Sequence, residues 1–501
     1  MARPYSVMTE PVIPVAFLNG SLAKLGIRET LIRAHEIRDL QCLSPLENYA
    51  LFRLMIAFAT DILRPERRDD RRRLLEVGRF DAETVDAYIA ACETNGPRFD
   101  LFDARHPFMQ SAYDAEIDGK AIKPVAALSI SLPSGNNHMF LDHRSESTPV
   151  MLPDEAFRAM LTLYVFCTAG AQGYPSGVNN TPPVYHRVIG NTLYESIILN
   201  MSSSREHASL EDGYDDLPWK NNRGVTPKEE FADVTYLAAL TWQPRRICLL
   251  PEADGTVRKT ALQQGKNFRG NDLWRDPHVA YRCGKKGDWN SVKPQQGRAL
   301  WRDVGALLAD SGSKHYRPPM SVSDAAEILE DNTAPLNIQQ IGLMTNQASY
   351  VGWVEDRLSL PACILEDDFL AMIIRGDTET VEAIQSILVR SINTRYGHEA
   401  KQDISLAEQA RLSFLAQMHD VLFNFSIPDV YGFRNSATED DLRRHMELYH
   451  SHLEKALRST LREVVQTSGS TSRDLQMQVE TQREIMNRFR KYITEKEEQY
   501  E

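Results

Sequence analysis

ATEDDLRRHMELYHSHLEKALRSTLREVVQ, residues 437–466, decides the architecture of the last third of the chain. Leu442, Met446, Tyr449, Leu453, Leu457, Leu461 and Val464 recur every three or four positions, which gathers them on one stripe of a helix and leaves the charges on the other faces. Ser436-Ala437-Thr438-Glu439 reads as a capping box at its start. Neighbouring segments repeat the pattern: Leu365 to Ile374, Asp377 to Tyr396, Ser405 to Phe425 and Arg473 to Lys496 are all helical in period. In the third of these, Ala407, Ala410, Phe414, Met418, Val421 and Phe425 mark one face. Gly397 reads as a helix stop, and Thr467 to Ser472 as a flexible link. Amphipathic helices with short connections bury their stripes against one another, so residues 364–501 are expected to form an antiparallel four-helix bundle.

Residues 1–363 have another character. Val12 to Phe17 and Leu22 to Ile27, separated by Leu18-Asn19-Gly20-Ser21, read as a hairpin. Ser44-Pro45-Leu46-Glu47 then opens a helix, with proline at the first helical position, and Tyr49, Phe52, Met55, Ile56 and Ala59 follow at helical spacing. The run Arg64-Pro65-Glu66-Arg67-Arg68-Asp69-Asp70-Arg71-Arg72-Arg73 is the most basic in the chain. It reads as a solvated loop, with a phosphate contact as the lesser alternative. From Asp103 to Asn221 short apolar runs alternate with long polar loops, unlike a regular βαβ repeat. The fold class is therefore α+β, with a large irregular N-terminal globular domain of mixed helices and short sheets ahead of the bundle.

A chain of 501 residues with 42% apolar content has enough for more than one core. Its longest apolar helical stretch, Tyr49 to Leu63, is interrupted by Arg53 and Asp61 and is shorter than the roughly 20 residues that cross a bilayer. The N-terminus carries no apolar signal segment, so a cytoplasmic protein is expected. Cys42, Cys92, Cys167, Cys248, Cys283 and Cys363 are scattered singly, which argues against a disulfide framework or a zinc knuckle. Fifty-seven basic against 69 acidic residues leave a net charge of −12, the wrong sign for a free-standing nucleic-acid binder.

Against that background, Asn332 to Val354 carries no formal charge at all. Its centre, Met344-Thr345-Asn346-Gln347-Ala348-Ser349-Tyr350, places two amides among small and hydroxyl side chains. Such a segment either presses against bases and backbone as a contact loop or is a neutral buried connection. Two further loops stand out: residues 136–144, NNHMFLDHR, and residues 169–182, AGAQGYPSGVNNTP. Glycines in the second permit close approach to a partner, although without a G-K-[ST] ending it also reads as a turn-dense linker. No nucleophile elbow, dinucleotide fingerprint or H-E-x-x-H is present. His419-Asp420 invites a metal-dependent phosphohydrolase or nuclease reading, but apart from His398 it lacks converging ligands and reads as an exposed polar pair. Asp142-His143 meets the same answer, so no catalytic residue, metal or cofactor is expected.

Six short motifs occur in a specific order: His106-Pro107-Phe108-Met109-Gln110, the loop around Phe140, Gly170 to Gly173 with Thr181-Pro182, Leu240-Thr241-Trp242-Gln243-Pro244, Leu273-Trp274-Arg275-Asp276-Pro277-His278, and Asn346-Gln347-Ala348-Ser349. With the terminal bundle and the chain length, this order resembles the CasA family, the large subunit of the type I-E CRISPR surveillance complex Cascade.

The resemblance implies a non-catalytic subunit for antiviral defence that reads the protospacer-adjacent motif (PAM) in duplex DNA and starts R-loop formation. It assigns Asn346, Gln347 and Ala348 to a wedge displacing the first base pair, and Gly170, Ala171, Gln172 and Gly173 to a loop approaching the minor groove. Lys266 matches a lysine reaching minor-groove acceptors. Phe140, Leu141 and Asp142 match a segment contacting the 5′ handle of the crRNA. Ala171 and Gln172 stand where the family often has further glycines, and Asp142 where some members carry an amide. Implied partners are the crRNA-bearing Cascade subunits, the crRNA handle, double-stranded target DNA and a helicase–nuclease. Basic residues of the bundle, including Arg443, Arg444, Arg458, Arg462, Arg483, Arg488, Arg490 and Lys491, are either a phosphate-tracking face or ordinary solvated surface. The domain reading is 1–363 for recognition and 364–501 for the bundle.

Overall fold

A computed structural model describes residues 3–130, 149–168, 177–205, 216–221, 224–270, 274–284, 287–295, 300–308, 316–329, 335–346, 349–396, 405–465 and 468–498, the side chains of 346 and 349 excepted. The chain divides into two compact units, Met1–Leu300 with Ser311–Ser359, and Trp301–Asp310 with Leu360–Glu501.

In the first unit everything is built around the helix Pro45–Leu63. Ser44 caps it, its side chain accepting from the Glu47 amide at 3.2 Å, with proline at the first position as its sequence requires. Nearly every residue from Leu46 to Asp61 is buried, so this helix is enclosed on all sides instead of presenting one stripe. Burial includes the two charges that interrupt its apolar run. Arg53 pairs with Asp276 at 2.7 Å, and Asp61 with Lys220 at 2.5 Å. Phe58 stacks on Trp219 with centroids 4.4 Å apart, and Phe99, Phe108 and Phe157 complete an aromatic core.

Short sheets flank this helix. The N-terminal hairpin pairs Ile13–Phe17 with Leu22–Leu25 in the register Ile13↔Leu25, and Ile37–Leu40 adds a third strand. Arg245–Pro251 and Val257–Gln264 form a second hairpin extended by Ile122–Pro124. The basic run departs from its reading as a solvated loop, because Arg68–Val77 is a helix with Arg71 fully buried. Arg71 and Arg68 both reach Asp324, at 2.9 and 2.8 Å, and Arg72 donates to the carbonyls of Glu327 and Ile328. Those carbonyls lie at the C-terminal end of the helix Met320–Ile328, where the helix dipole favours a cation.

The second unit contains four long helices: Asp368–Tyr396, Leu406–Val421, Glu439–Thr460 and Ser472–Glu497. The two separate helices expected at 365–374 and 377–396 are one, running through Gly376, after a short turn of helix at Ala362–Glu366. Arg395 pairs with Glu480 and Glu484 while Lys496 reaches the Gly376 carbonyl, so the first and last helices are antiparallel. Residues 301–308 belong to this unit because Arg302 donates to Glu382 at 2.7 Å and Trp301 is buried. The capping box sits two residues later than its reading, with Thr438 accepting from the Asp441 amide. Of the basic bundle residues, Arg443, Arg458, Arg488 and Lys491 are in local i,i+4 ion pairs. Among the described residues no helix is long and apolar enough to cross a membrane.

Buried in this unit, His445 lies between two carboxylates, with Nδ1 2.7 Å from Asp429 and Nε2 3.1 Å from Asp377. Burial works against its charge, but the two aspartates outweigh this and raise its pKa above the ordinary histidine value. The stabilisation it brings is therefore fully present below about pH 6.5 and is lost as pH rises through the raised value. His186 and His278 in the first unit are the opposite case: burial pushes both down to about 4, so each loses stabilisation as pH falls from about 6.5 towards 4. His445→Gln is expected to lower unfolding free energy by roughly 1–3 kcal/mol at pH 6 and by much less at pH 9. Urea titrations at the two pH values check this, and an equal loss at both would remove the charged histidine from the bundle.

Candidate nucleic-acid interface

The uncharged stretch, read as either a contact loop or a buried connection, forms two strands where it is described. Pro335–Asn346 and Ser349–Pro361 are adjacent in a sheet whose third member is Tyr185–Ile189. Only residues 347–348 join them, far too few for a parallel crossover, so the pair is a hairpin. Its ladder with the third strand runs from Asn337↔Ile189 to Ile341↔Tyr185 and stops there. Residues 342–346 therefore continue past the last rung, roughly 17 Å at about 3.3 Å per residue.

Amides secure the hairpin at its base. Gln340 Nε2 lies 3.2 Å from His186 Nε2, and Gln339 donates to Glu355 at 2.6 Å. Ile341 and Leu343 pack with Tyr49, Phe166 and Tyr185. A Cβ at Gly342 would stand 2.9 Å from Pro294, so glycine allows that close approach. Met344 and Thr345 are half-buried, and alternate residues of the return strand are exposed from Val351 (43%) and Trp353 (42%) through to Ser359. The hairpin is thus buried along residues 338–343 of its first strand and open on one face of its second. Asn346 closes its strand; Gln347 and Ala348 lie outside the described residues, as do Gly170 to Gly173 and Phe140 to Asp142.

Both flanks of the glycine-rich segment are tied into the fold by hydrogen bonds. Before it, the Thr168 carbonyl accepts from Arg245 Nη2 at 2.8 Å. After it, Asn180 takes a positive φ of 62° and its amide donates to the Gly177 carbonyl. Asn179, between them, is buried. Its Nδ2 donates to Asp276 at 2.8 Å and to the Tyr185 hydroxyl at 3.3 Å, while its Oδ1 accepts from Trp274 Nε1 at 3.1 Å. Asp276 also pairs with Arg53 and accepts from the His278 amide at 3.0 Å; His278 Nδ1 in turn meets the Tyr49 hydroxyl at 2.9 Å. Burial alone would raise the Asp276 carboxyl, but the Arg53 guanidinium, His278 and Asn179 hold it below the usual range.

Lys266 follows the strand Val257–Gln264. Its amide donates to the Gln243 carbonyl at 3.0 Å, and its ammonium stands 5.7 Å from the ring centres of both Phe231 and Trp242. These groups border a cavity of about 300 Å³ that Asp216, Glu229 and Asp233 also line. The Gly265 amide donates to the Pro244 carbonyl. Residues 243–245 therefore hold both the Thr168 side of the glycine-rich segment and the Lys266 turn, and so bring these two predicted regions together.

Sequence reasoning missed the network around Arg53. Three of the motifs that carried the family resemblance supply it or its surroundings. Phe108 is in the aromatic core, Gln110 bridges the Leu101 carbonyl and the Leu249 amide, Gln243 donates to the Met109 carbonyl, Trp274 and Asp276 bond Asn179, and the His278 amide donates to Asp276. A signal was available: an arginine inside an otherwise apolar helix needs a buried acid, and Asp276 lies in one of the motifs. His419 and Asp420 are 3.4 Å apart and 43% and 76% exposed, with the imidazole against Phe423 and Trp301. Among the described residues no group of three or more His, Cys, Asp or Glu could hold a metal ion; His398, Asp142 and His143 lie outside them.

The family model described as CRISPR-associated protein Cse1 matches residues 7–495. The chain is 28% identical over 378 residues to the CRISPR-associated protein CasA/Cse1 of Thermus thermophilus, 72% of each protein. The solved T. thermophilus CasA (Cse1) superposes with a TM-score of 0.76 at 21% identity, covering 97% of this chain and 100% of that one. Cse1 from Acidimicrobium ferrooxidans gives 0.75 at 21% identity over 99% of both. A chain of a solved CRISPR RNA-guided surveillance complex gives 0.77 at 20% identity over 96% of this chain and 99% of that one. These structural likenesses establish the shared fold.

Gly265 offers a direct check on the turn that carries Lys266. A Cβ there would come within 2.5 Å of the Arg245 amide nitrogen and 2.6 Å of the Gln243 carbonyl oxygen, both backbone atoms that cannot swing aside. Gly265→Ala is expected to destabilise the chain by about 1–3 kcal/mol, the usual range for overpacking, as read by denaturant unfolding. A variant as stable as the parent would show that the turn opens freely.

Proposed function

The chain belongs to the CRISPR-associated Cse1 family, and from that premise we propose that it is the large subunit of a type I-E Cascade complex. In this reading it works in the cytoplasm without catalysing a reaction. It recognises the protospacer-adjacent motif in duplex DNA, opens the first base pairs so that the crRNA can anneal, and supports recruitment of the helicase–nuclease in antiviral defence.

The observation that carries the reading is the hairpin. Two long strands with no formal charge between Pro335 and Val354 continue past their last rung with the third strand, and one face of the return strand, including Val351 and Trp353, is open to solvent. An uncharged wedge avoids repulsion from phosphate, and its amides replace part of the hydrogen bonding lost when a pair is displaced. Asn346, Gln347 and Ala348 are the wedge in this proposal. Gly170, Ala171, Gln172 and Gly173 approach the minor groove beside it, and Lys266 supplies a cation to groove acceptors. Because the minor groove presents a degenerate acceptor pattern, several motif sequences are tolerated. Phe140, Leu141 and Asp142 contact the RNA 5′ handle, the phenyl ring stacking a splayed base. The bonds of Gln339 and Gln340 and the packing of Ile341 and Leu343 brace the hairpin against the fold, which suits a device that must work against stacking of a few kcal/mol per step.

Gln347→Ala, alone or with Asn346→Ala, is expected to slow R-loop formation on relaxed duplex by about tenfold, equivalent to about 1.4 kcal/mol, with assembly of the complex intact. Wild-type rates would refute the wedge. Lys266→Ala is expected to weaken binding of motif-bearing duplex several-fold while leaving annealing to a pre-opened target nearly unchanged; equal losses on the two substrates would remove Lys266 from motif reading.

A further inference from the structure

We infer that Asn179 is a positioning residue for duplex opening: it fastens the strand that supports the hairpin to the buried Arg53–Asp276 ion pair. This rests on the reading of the hairpin as a wedge and goes beyond it, since Asn179 is not among the residues assigned to contact DNA or RNA.

The geometry is a short chain of bonds. The carboxylate of Asp276 is fixed by Arg53 at 2.7 Å, and Arg53 belongs to the helix at the centre of the unit. Asn179 takes its orientation from two directions, its amide nitrogen to Asp276 and its oxygen from the Trp274 indole, so neither end of the carboxamide is left to rotate. The remaining Nδ2 proton points to the hydroxyl of Tyr185. Tyr185 opens the strand Tyr185–Ile189 and is the residue that faces Ile341 on the last rung between the two strands. Its ring is also stacked on Tyr49 of the central helix, centroids 4.6 Å apart. The last rung is where the hairpin leaves its third strand, and Asn179 is the polar tie that joins that rung to the buried Arg53–Asp276 pair. Asn179 also lies six residues after Gly173, so the same side chain anchors the chain leaving the glycine-rich segment.

A merely structural asparagine and a positioning one differ in how they combine with the wedge. Neighbours acting through one device are non-additive, whereas independent losses multiply. R-loop formation is measured with assembled complexes carrying Asn179→Ala, Gln347→Ala and both, on closed duplex and on a target pre-opened next to the motif. Asn179→Ala is expected to slow opening of closed duplex about fivefold to tenfold, to change annealing to the pre-opened target less than twofold, and to add little to Gln347→Ala. If Gln347→Ala slows opening while Asn179→Ala does not, or if the two losses multiply, the positioning role is wrong and the wedge stands. If Gln347→Ala opens duplex at the parent rate, the wedge itself falls and this inference with it. Should Asn179→Ala fail to assemble, Tyr185→Phe takes its place in the same cycle, since it keeps the stacked ring and removes only the hydroxyl; the expectation is a twofold to threefold loss with the same non-additivity, and its absence overturns the proposal.

Discussion

A carboxylate and a guanidinium with 0% and 3% side-chain exposure hold the first unit to one arrangement. Removing such ions from water costs several kcal/mol each, a cost offset only when every lone pair and proton finds a partner. Asp276 meets this with Arg53, Asn179 and the His278 amide, and Arg53 with Asp276, the Tyr49 hydroxyl and the Ala239 carbonyl. Four stretches of chain far apart in sequence must therefore arrive together. A slip in any of them leaves a buried charge unpaired, which penalises alternative packings more strongly than the loss of an apolar contact would.

The second unit uses a related device with a titratable centre. His445, flanked by Phe425 and Tyr449, joins Asp377 on the first long helix to Asp429, and the Ser426 hydroxyl also donates to Asp377. Ser426 ends a stretch of π-helix, Leu422–Ser426, which adds a residue to the turn and changes which side chains face inward. Leu461–Val465 is a second such stretch. The irregular turns are where this bundle departs from four ideal rods.

Arginine usage bears on the proposed contact with nucleic acid. Arg53, Arg71, Arg158, Arg187 and Arg246 are all buried and paired with acids, and Arg302 and Arg395 join elements of the bundle. The net charge of −12 is the wrong sign for drawing in a duplex by overall attraction. Contacts made with neutral amides, glycine backbone and one lysine are the chemistry such a surface permits. In the proposed assembly, the field that draws in DNA comes from the RNA-bearing subunits.

Local pattern was enough for much of the fold. The amphipathic stripes that predict the bundle, the Ser44 cap and the N-terminal hairpin are properties of neighbouring residues, and they are legible without a structure. So was the absence of charge between residues 332 and 354, though not that it forms two strands. A 3.6-residue period cannot say that the helix Pro45–Leu63 is enclosed on every side, nor that Arg71 is a buried ion in place of a solvated one. Those outcomes depend on partners more than 200 residues away, Asp276 for Arg53 and Asp324 for Arg71. The short motifs around residues 108, 243 and 276 were visible as motifs, and only tertiary packing made them the frame of the candidate interface, because a buried charge is satisfied by whatever the fold brings to it and sequence distance has no bearing on that.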